Sequence, residues 1–158
     1  MTPRVRGFTL IELAVVVAII GVLAAAAMPV AELAVQRSRE RELRQALRQI
    51  RSAIDAYKHE YERGRIIKRA DGTGYPPSLD VLVNGVEDAK TPNKAKIYFL
   101  RRLPRDPMET DTTLSAADTW GKRSYASPPD FPTEGADVFD VYSRSERTGI
   151  NGVRYRDW

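Results

Sequence analysis

The sequence contains no cysteine and a single histidine, His59, among its 158 residues. Without cysteine there is no disulfide framework, no thiolate metal site and no cysteine nucleophile. A single histidine also excludes a histidine-rich metal cluster and most histidine-based catalysis. No nucleophile–base pair, phosphate-binding loop or metal motif is evident from the spacing of the remaining residues, so we do not expect an enzyme. His59 is predicted to be a surface residue.

The apolar residues are concentrated at the start of the chain. Leu13–Ala31 contains no charged or hydrogen-bonding side chain, and Phe8–Ala31 carries one charge, Glu12. The core of a bilayer requires about 20 apolar residues in a helix. Phe8–Ala31 is therefore predicted to span a membrane, with Arg4 and Arg6 forming a short basic tail before it.

Three interpretations of this apolar segment compete. A cleaved secretory signal would have an apolar core of roughly 7–15 residues before its cut site, which is shorter than the segment here. A plain single-span anchor explains the length but not Glu12, because a charge inside a bilayer is costly and usually has a function. The third interpretation depends on the particular residues around Glu12.

Residues 7–21 read Gly-Phe-Thr-Leu-Ile-Glu-Leu-Ala-Val-Val-Val-Ala-Ile-Ile-Gly and closely resemble the class III signal of type IV pilins and type II secretion pseudopilins. The resemblance implies that residues 1–7 are a leader, which a prepilin peptidase removes by cutting between Gly7 and Phe8. It implies N-methylation of Phe8 and retention of the apolar helix as a filament core. In this family the new amine, here on Phe8, pairs with the carboxylate of Glu12, usually across neighbouring subunits. Pairing lowers the free energy needed to hold either charge in an apolar medium; the alternative is a half-solvated Glu12 at the membrane interface.

Gly21 and Pro29 lie within the apolar helix. Proline removes a helix hydrogen bond and kinks or breaks a helix, although membrane helices tolerate such kinks. The resemblance implies a different role, a weak segment that stretches when the filament packs. Both interpretations of this helix kink remain open at the level of sequence.

Residues 32–63 are predicted to continue the helix with one apolar face. The apolar stripe consists of Leu43, Leu47, Ile50, Ile54, Tyr57 and Tyr61. Its spacings of three and four residues are helical, and Gly64 suits a helix stop. Because the stripe covers fewer than three heptads, we expect it to pack against the chain's own following domain and not to form a coiled coil.

Many arginines follow the apolar segment: Arg37, Arg39, Arg41, Arg44, Arg48 and Arg51. Nucleic-acid binding is not expected from them, because Glu40, Glu42 and Asp55 dilute the charge. Positive-inside counting would place these arginines in the cytoplasm. The family signature places this side of the segment outside the bacterial inner membrane. We follow the signature because it is position-specific, and expect a single-pass inner-membrane protein with a periplasmic C-terminal domain.

Residues 64–158 are predicted to form a small α+β domain with an antiparallel sheet against the helix stripe. The expected elements are a short helix over Leu79–Val83 capped by Ser78, strands over Lys122–Ser127 and Asp137–Ser143, an Asn151-Gly152 turn, and a last short strand through Val153 and Tyr155. Trp120, Phe139 and Tyr142 are expected to complete the core. The predicted class is thus a pilin-like α+β fold with a long N-terminal helix.

Four segments extend the resemblance to the major pseudopilins of type II secretion, the G component family. They are Tyr-Pro-Pro-Ser-Leu at 75–79, Leu-Pro-Arg-Asp-Pro at 103–107, Trp-Gly at 120–121 and Phe-Asp-Val-Tyr-Ser at 139–143. The resemblance implies polymerisation into a periplasmic filament that drives protein secretion. The implied partners are further copies of the chain, minor pseudopilins, the inner-membrane assembly platform and prepilin peptidase. The alternatives are a type IV pilin or minor pilin for adhesion, motility or DNA uptake, and an anchored binding domain that never polymerises.

The sequence departs from that family in two places. Residues 108–119 separate the Asp-Pro pair from Trp-Gly, which lie almost adjacent in the typical major pseudopilin. The family also binds calcium in the loop after its last main strand, and calcium takes six to eight hard oxygen ligands. The candidate ligands here are Ser143, Ser145, Asn151 and Asp157. Arginines flank the one carboxylate of this loop, Glu146, and the alternative is a loop held by its Asn-Gly turn and aromatic packing.

Overall fold

The computed structural model describes residues 8–68 and 72–158, with the backbone alone at 26–29. The chain divides into two compact units, Met1–Ser38 and Arg39–Trp158. The elements are helix α1 (Leu10–Glu62), helix α2 (Asp80–Asn84), and strands β1 (Val86–Glu87), β2 (Lys96–Ile97), β3 (Trp120–Arg123) and β4 (Asp140–Ser143). One long N-terminal helix followed by small antiparallel sheets confirms the predicted α+β class.

The apolar stripe on the second half of α1 forms the centre of the core. Leu43, Ile50 and Ile54 are at most 1% exposed, and the other members of the stripe are buried or half-buried. They share a cluster with Leu82 and Trp120 from the rest of this unit. Burying a side chain of this size stabilises a fold by about 1.5–3 kcal/mol. The stripe therefore joins α1 to the C-terminal domain, as its spacing predicted.

Gly64 ends α1 in the way that the sequence indicates. Its φ of 72° lies in the left-handed region, which favours glycine. The Gly64 N–H donates to the carbonyl of Tyr61, and the Arg65 N–H donates to that of Glu60, both at 3.0 Å. This pair of bonds is a Schellman motif, which satisfies carbonyls that a helix end would leave open.

Two antiparallel pairs of strands form the sheets of the domain. Strand β1 pairs with β2, and β3 pairs with β4 so that Trp120 lies opposite Ser143. The Trp120 side chain is fully buried, and its indole N–H donates to the carbonyl of Pro104 at 2.9 Å. Gly121 lies beneath the ring of Tyr142, where an added Cβ would come within 2.3 Å of a ring carbon. The Trp-Gly pair thus supplies one buried anchor and one position without room for a side chain.

The predicted cap of the short helix is wrong by one residue. Helix α2 begins at Asp80, Leu79 occupies the N-cap position, and no side chain caps the helix there. Leu79 is fully buried. Packing of Leu79 therefore positions the start of the helix, and Ser78 does not.

The two main strands differ in their bounds from the prediction: β3 begins at Trp120, before the predicted start at Lys122, and ends at Arg123, while β4 begins only at Asp140. β3 ends at Arg123 because the next two residues bond to a side chain and leave the ladder. The Asp137 Oδ1 atom accepts the Ser124 hydroxyl at 2.7 Å and the Tyr125 N–H at 2.9 Å. Ser124, Tyr125 and Asp137, which were all predicted to lie in strands, thus bond to one another through the Asp137 side chain instead of extending the strand ladder.

The last predicted strand is a single bridge between Thr148 and Arg154. The Asn-Gly turn is present, with Gly152 at a φ of 79°. Beyond the bridge the chain forms a 3₁₀ turn at Tyr155–Asp157. Tyr155 is 1% exposed, so the apolar residue of the expected strand does reach the core.

Phe139 and Tyr142 were expected in the core and are only half-buried. Val138 and Val141 occupy the buried positions instead, at 3% and 0% exposure. Phe139 packs edge-on against Tyr75, with ring centroids 4.9 Å apart. The β-branched residues of this segment therefore fill the core, and its two aromatic residues stay partly exposed.

Candidate functional site

The first part of α1 exposes an almost unbroken apolar surface. Its exposed large side chains are Leu10, Ile11, Leu13, Val15, Val16, Val17, Ile19, Ile20, Val22, Leu23, Val30, Leu33 and Val35. An 18-residue window of this helix has a mean hydropathy of 2.7, and none of that window is buried. Apolar surface of this extent marks a contact with lipid or with another protein. By length and composition, the helix can cross a bilayer.

Glu12 lies at the N-terminal end of this surface and closes a capping box with Thr9. The Thr9 N–H donates to the Glu12 Oε2 atom at 3.5 Å, and the Glu12 N–H donates to the Thr9 hydroxyl at 3.3 Å. The pattern of threonine followed three residues later by glutamate satisfies two open donors at a helix start. Sequence analysis gave Glu12 a pairing role and missed this one, although the Thr-x-x-Glu signal was present.

The remaining predicted residues of the N-terminal site have different outcomes. Gly7 lies outside the described residues. Phe8 precedes the helix and is 78% exposed. The backbone of α1 is helical through both Gly21 and Pro29, so neither residue breaks the helix. Bending at these two positions stays a prediction.

The candidate calcium ligands do not converge on one point. The buried Ser143 hydroxyl donates to the Asp106 Oδ2 atom at 2.6 Å, facing the core. The Asn151 Oδ1 atom accepts the Val153 N–H at 3.2 Å, and the Asp157 Oδ2 atom accepts the Arg154 Nε–H at 2.9 Å. The Ser145 hydroxyl oxygen accepts the N–H of Arg147 at 3.4 Å. Each candidate oxygen is therefore engaged with a different partner.

Charge around the loop also disfavours a divalent cation. The Glu146 carboxylate is 3.5 Å from the Arg156 guanidinium. Burial raises the pKa of Asp106, opposed by hydrogen bonds from the Ser143 hydroxyl and the Met108 N–H. Within 8–68 and 72–158, no three or more acidic or histidine side chains are grouped to hold a metal ion. These residues do not fit the calcium site that the resemblance implies.

Two of the α1 arginines, Arg44 and Arg51, contact Trp158. The Arg51 Nε atom is 2.8 Å from the Asp140 Oδ1 atom, and its Nη2 atom donates to the carbonyl oxygen of Val141 at 3.1 Å and to a main-chain oxygen of Trp158 at 2.9 Å. The Arg44 guanidinium lies 4.2 Å from the centre of the Trp158 ring. Part of the basic face thus contributes to the fold. His59, on the same helix, is exposed as predicted.

Comparison with known proteins assigns the N-terminal segment. The family described as "Prokaryotic N-terminal methylation motif" matches residues 2–28. This range contains the candidate processing residues and Glu12. The match ends at residue 28, so it does not cover the C-terminal domain.

Curated relatives match most of the chain. The type II secretion system core protein G of Escherichia coli (strain K12) is 31% identical over 117 aligned positions, covering 72% of this chain and 73% of the relative. The chain belongs to the type II secretion system core protein G family. The core protein G of Dickeya chrysanthemi is 28% identical over 160 positions, covering 96% of this chain and 97% of the relative. No solved structure matches the chain significantly.

Membership of the core protein G family agrees with several expectations. The relatives are named as a component of a secretion system and not as enzymes, as the residue inventory predicted. The exposed apolar helix and the family together suggest membrane anchoring. Residues 108–119, which sequence analysis predicted to be an addition to the family pattern, are anchored to the core at both ends, because Met108 and Thr119 are 7% and 0% exposed.

Proposed function

We propose that this chain is a major pseudopilin precursor, cut between Gly7 and Phe8, methylated on Phe8, and polymerised into a periplasmic pseudopilus. By analogy with its family, this filament drives the secretion of folded proteins. The chain would sit in the inner membrane with one span and a periplasmic C-terminal domain. Its partners would be further copies of itself, minor pseudopilins, the assembly platform and prepilin peptidase.

The exposed apolar surface of α1, with one carboxylate at its start, carries this proposal. After the cut, the new amine lies on Phe8, four residues before Glu12. The Glu12 carboxylate already turns toward the helix start, 3.5 Å from the Thr9 N–H. An amine from a neighbouring subunit can pair with it there, which lowers the free energy of burying both charges among apolar helices. The pair would also fix the register of one subunit against the next.

The first test is the intact mass and N-terminal peptide of the protein extracted from membranes that contain prepilin peptidase. We expect a chain that begins at Phe8 and is heavier by one methyl group. A chain that still begins at Met1 beside an active peptidase would contradict the proposal and leave a plain anchor.

The second test compares Glu12→Ala with Glu32→Ala in cells that carry the secretion machinery. Both glutamates are exposed on α1, and only Glu12 lies beside the new terminus. We expect Glu12→Ala to abolish sheared filaments while the protein remains in the membrane, and Glu32→Ala to assemble normally. Unaltered assembly of Glu12→Ala would remove this carboxylate from the mechanism. Long surface filaments without a secretion defect on deletion would favour a type IV pilin instead.

A further inference from the structure

Glu40 is a buried carboxylate in the second half of α1. Its residue is 4% exposed, although it is charged and lies in a helix rich in exposed arginines. A carboxylate is rarely buried unless hydrogen bonds or an opposite charge compensate the loss of water. Its compensation comes from the far end of the sequence.

The Glu40 Oε1 atom accepts two hydrogen bonds from the C-terminal loop region. The backbone N–H of Ile150 donates to it at 2.8 Å, and the Tyr155 hydroxyl donates at 3.0 Å. The Arg44 Nη2 atom lies 3.8 Å from the Glu40 Oε2 atom, one helical turn further along. Glu40 therefore connects the helix to both sides of the turn at residues 150–152.

The loop between Ser143 and Tyr155 presents donors and cations where a calcium loop presents oxygens. Bonds within it include the Ser145 N–H to the Ser143 hydroxyl at 3.2 Å and the Tyr155 N–H to the Arg147 carbonyl at 3.0 Å. Its side chains at 144 and 147 are arginines, and Glu146 faces Arg156 at 3.5 Å. A site of this charge attracts an anion more strongly than a divalent cation.

We propose that Glu40 braces this loop in place of the calcium ion that the family resemblance implies, with the polarity of the interaction reversed. In a calcium loop, oxygens of the loop surround a central cation. In this chain the loop contributes N–H and O–H donors, and the helix contributes the anion. The domain consequently folds to full stability without a divalent cation, and truncation of Glu40 releases the loop.

The experiment uses the full-length chain in detergent micelles, with thermal unfolding measured in calcium chloride and in excess EGTA. We expect the same Tm in both, and no luminescence from added terbium chloride, although Tyr155 and Trp158 lie beside the loop as sensitisers. A Tm several degrees higher in calcium, with terbium luminescence that calcium displaces, would overturn the proposal.

Substitutions then test the role of the carboxylate itself. Glu40→Ala removes the acceptor of the buried Tyr155 hydroxyl and of the part-buried Ile150 N–H, and we expect the Tm to fall by about 5–10 °C. Hydrogen exchange at the Ile150 amide should become at least about tenfold faster. Glu42→Ala is the matched control, because Glu42 is an exposed glutamate two residues along the same helix. Unchanged exchange at Ile150 in Glu40→Ala would contradict the brace.

A conservative variant covers the case in which Glu40→Ala does not fold. Tyr155→Phe removes one of the two donors and keeps the ring in the core, so we expect a smaller fall in Tm, of about 2–4 °C, from the loss of one hydrogen bond. Its unfolding should remain insensitive to calcium. A Tyr155→Phe protein that calcium chloride restores to the original Tm would show that a cation does brace the loop. These measurements follow the folded domain and not filament assembly, so they are independent of the proposed function.

Discussion

Ile19 in the first half of α1 is 55% exposed, whereas Ile50 in the second half is fully buried. Both are isoleucines in one continuous helix, so backbone propensity does not distinguish them. In the second half, arginine and glutamate occupy the other faces and leave a single apolar stripe to bury. The first half is apolar on all faces, so it has no polar face that could stay in water while an apolar face is buried. The apolar stripe of the second half is buried against its own domain, whereas the apolar surface of the first half requires lipid or further helices to cover it.

The same contrast holds for the carboxylates. Glu12, in the first half, is exposed, and its hydrogen bonds within residues 8–68 and 72–158 are those of the capping box with Thr9. Glu40, in the second half, is buried and accepts donors from residues 110 and 115 positions away. Glu12 is thus available to a partner, whereas the fold already uses Glu40.

The largest effect that we expect is from truncating the two isoleucines in turn. Ile50→Ala should lower the free energy of unfolding by about 2–5 kcal/mol, because it leaves a cavity in a fully packed core. Ile19→Ala should change it by less than about 0.5 kcal/mol, as for an exposed position. Denaturant unfolding of the full chain in detergent, followed by the fluorescence of buried Trp120, measures both. Equal losses would contradict the division of α1 into two environments.

Sequence analysis succeeded where a structural feature depends on residues that are close together in the sequence. The stripe from Leu43 to Tyr61 was predicted correctly because helical periodicity is a local and repeated signal. The strands were harder, because β3 and β4 are four residues long and side chains such as Asp137 decide where they end. Pairs this short contain too few alternations to fix a boundary.

The candidate site shows the same limit. The Thr9–Glu12 box is a local pattern that could have been recognised from the sequence. The bond from the Ile150 N–H to Glu40 could not, because nothing near either residue indicates the other. The arginines at 144 and 147 did weaken the expectation of calcium, and the structure adds the anion that faces the loop.

A second pair of substitutions compares glycines in the two regions. Gly121→Ala should destabilise the domain by about 1–3 kcal/mol, since the new methyl group meets the Tyr142 ring. At Gly21 an added Cβ meets nothing within 4 Å, and alanine favours helix by about 1 kcal/mol over glycine. Denaturant unfolding reports the first change, and helical circular dichroism at rising temperature reports the second. Loss of helix in Gly21→Ala would mean that the first half packs more tightly than its exposure indicates.

The smallest effect concerns acid stability and compares Asp137 with Glu12. Burial alone would raise the pKa of Asp137, but hydrogen bonds from the Thr73 and Ser124 hydroxyls and the Tyr125 N–H outweigh it and lower the pKa below its ordinary value of 3.8. A carboxyl whose pKa is lowered on folding stabilises the folded state above its unfolded pKa, and that contribution is lost as the pH falls through its folded pKa. Asp137→Asn should therefore destabilise the domain by about 1 kcal/mol at neutral pH, and the difference from the parent should shrink below about pH 4. Glu12→Gln alters an exposed group in the other compact unit and should leave the acid unfolding of the domain unchanged. Urea midpoints measured from pH 7 down to pH 3 decide the matter, and a constant deficit in Asp137→Asn would show that hydrogen-bond geometry, and not charge, gives Asp137 its effect.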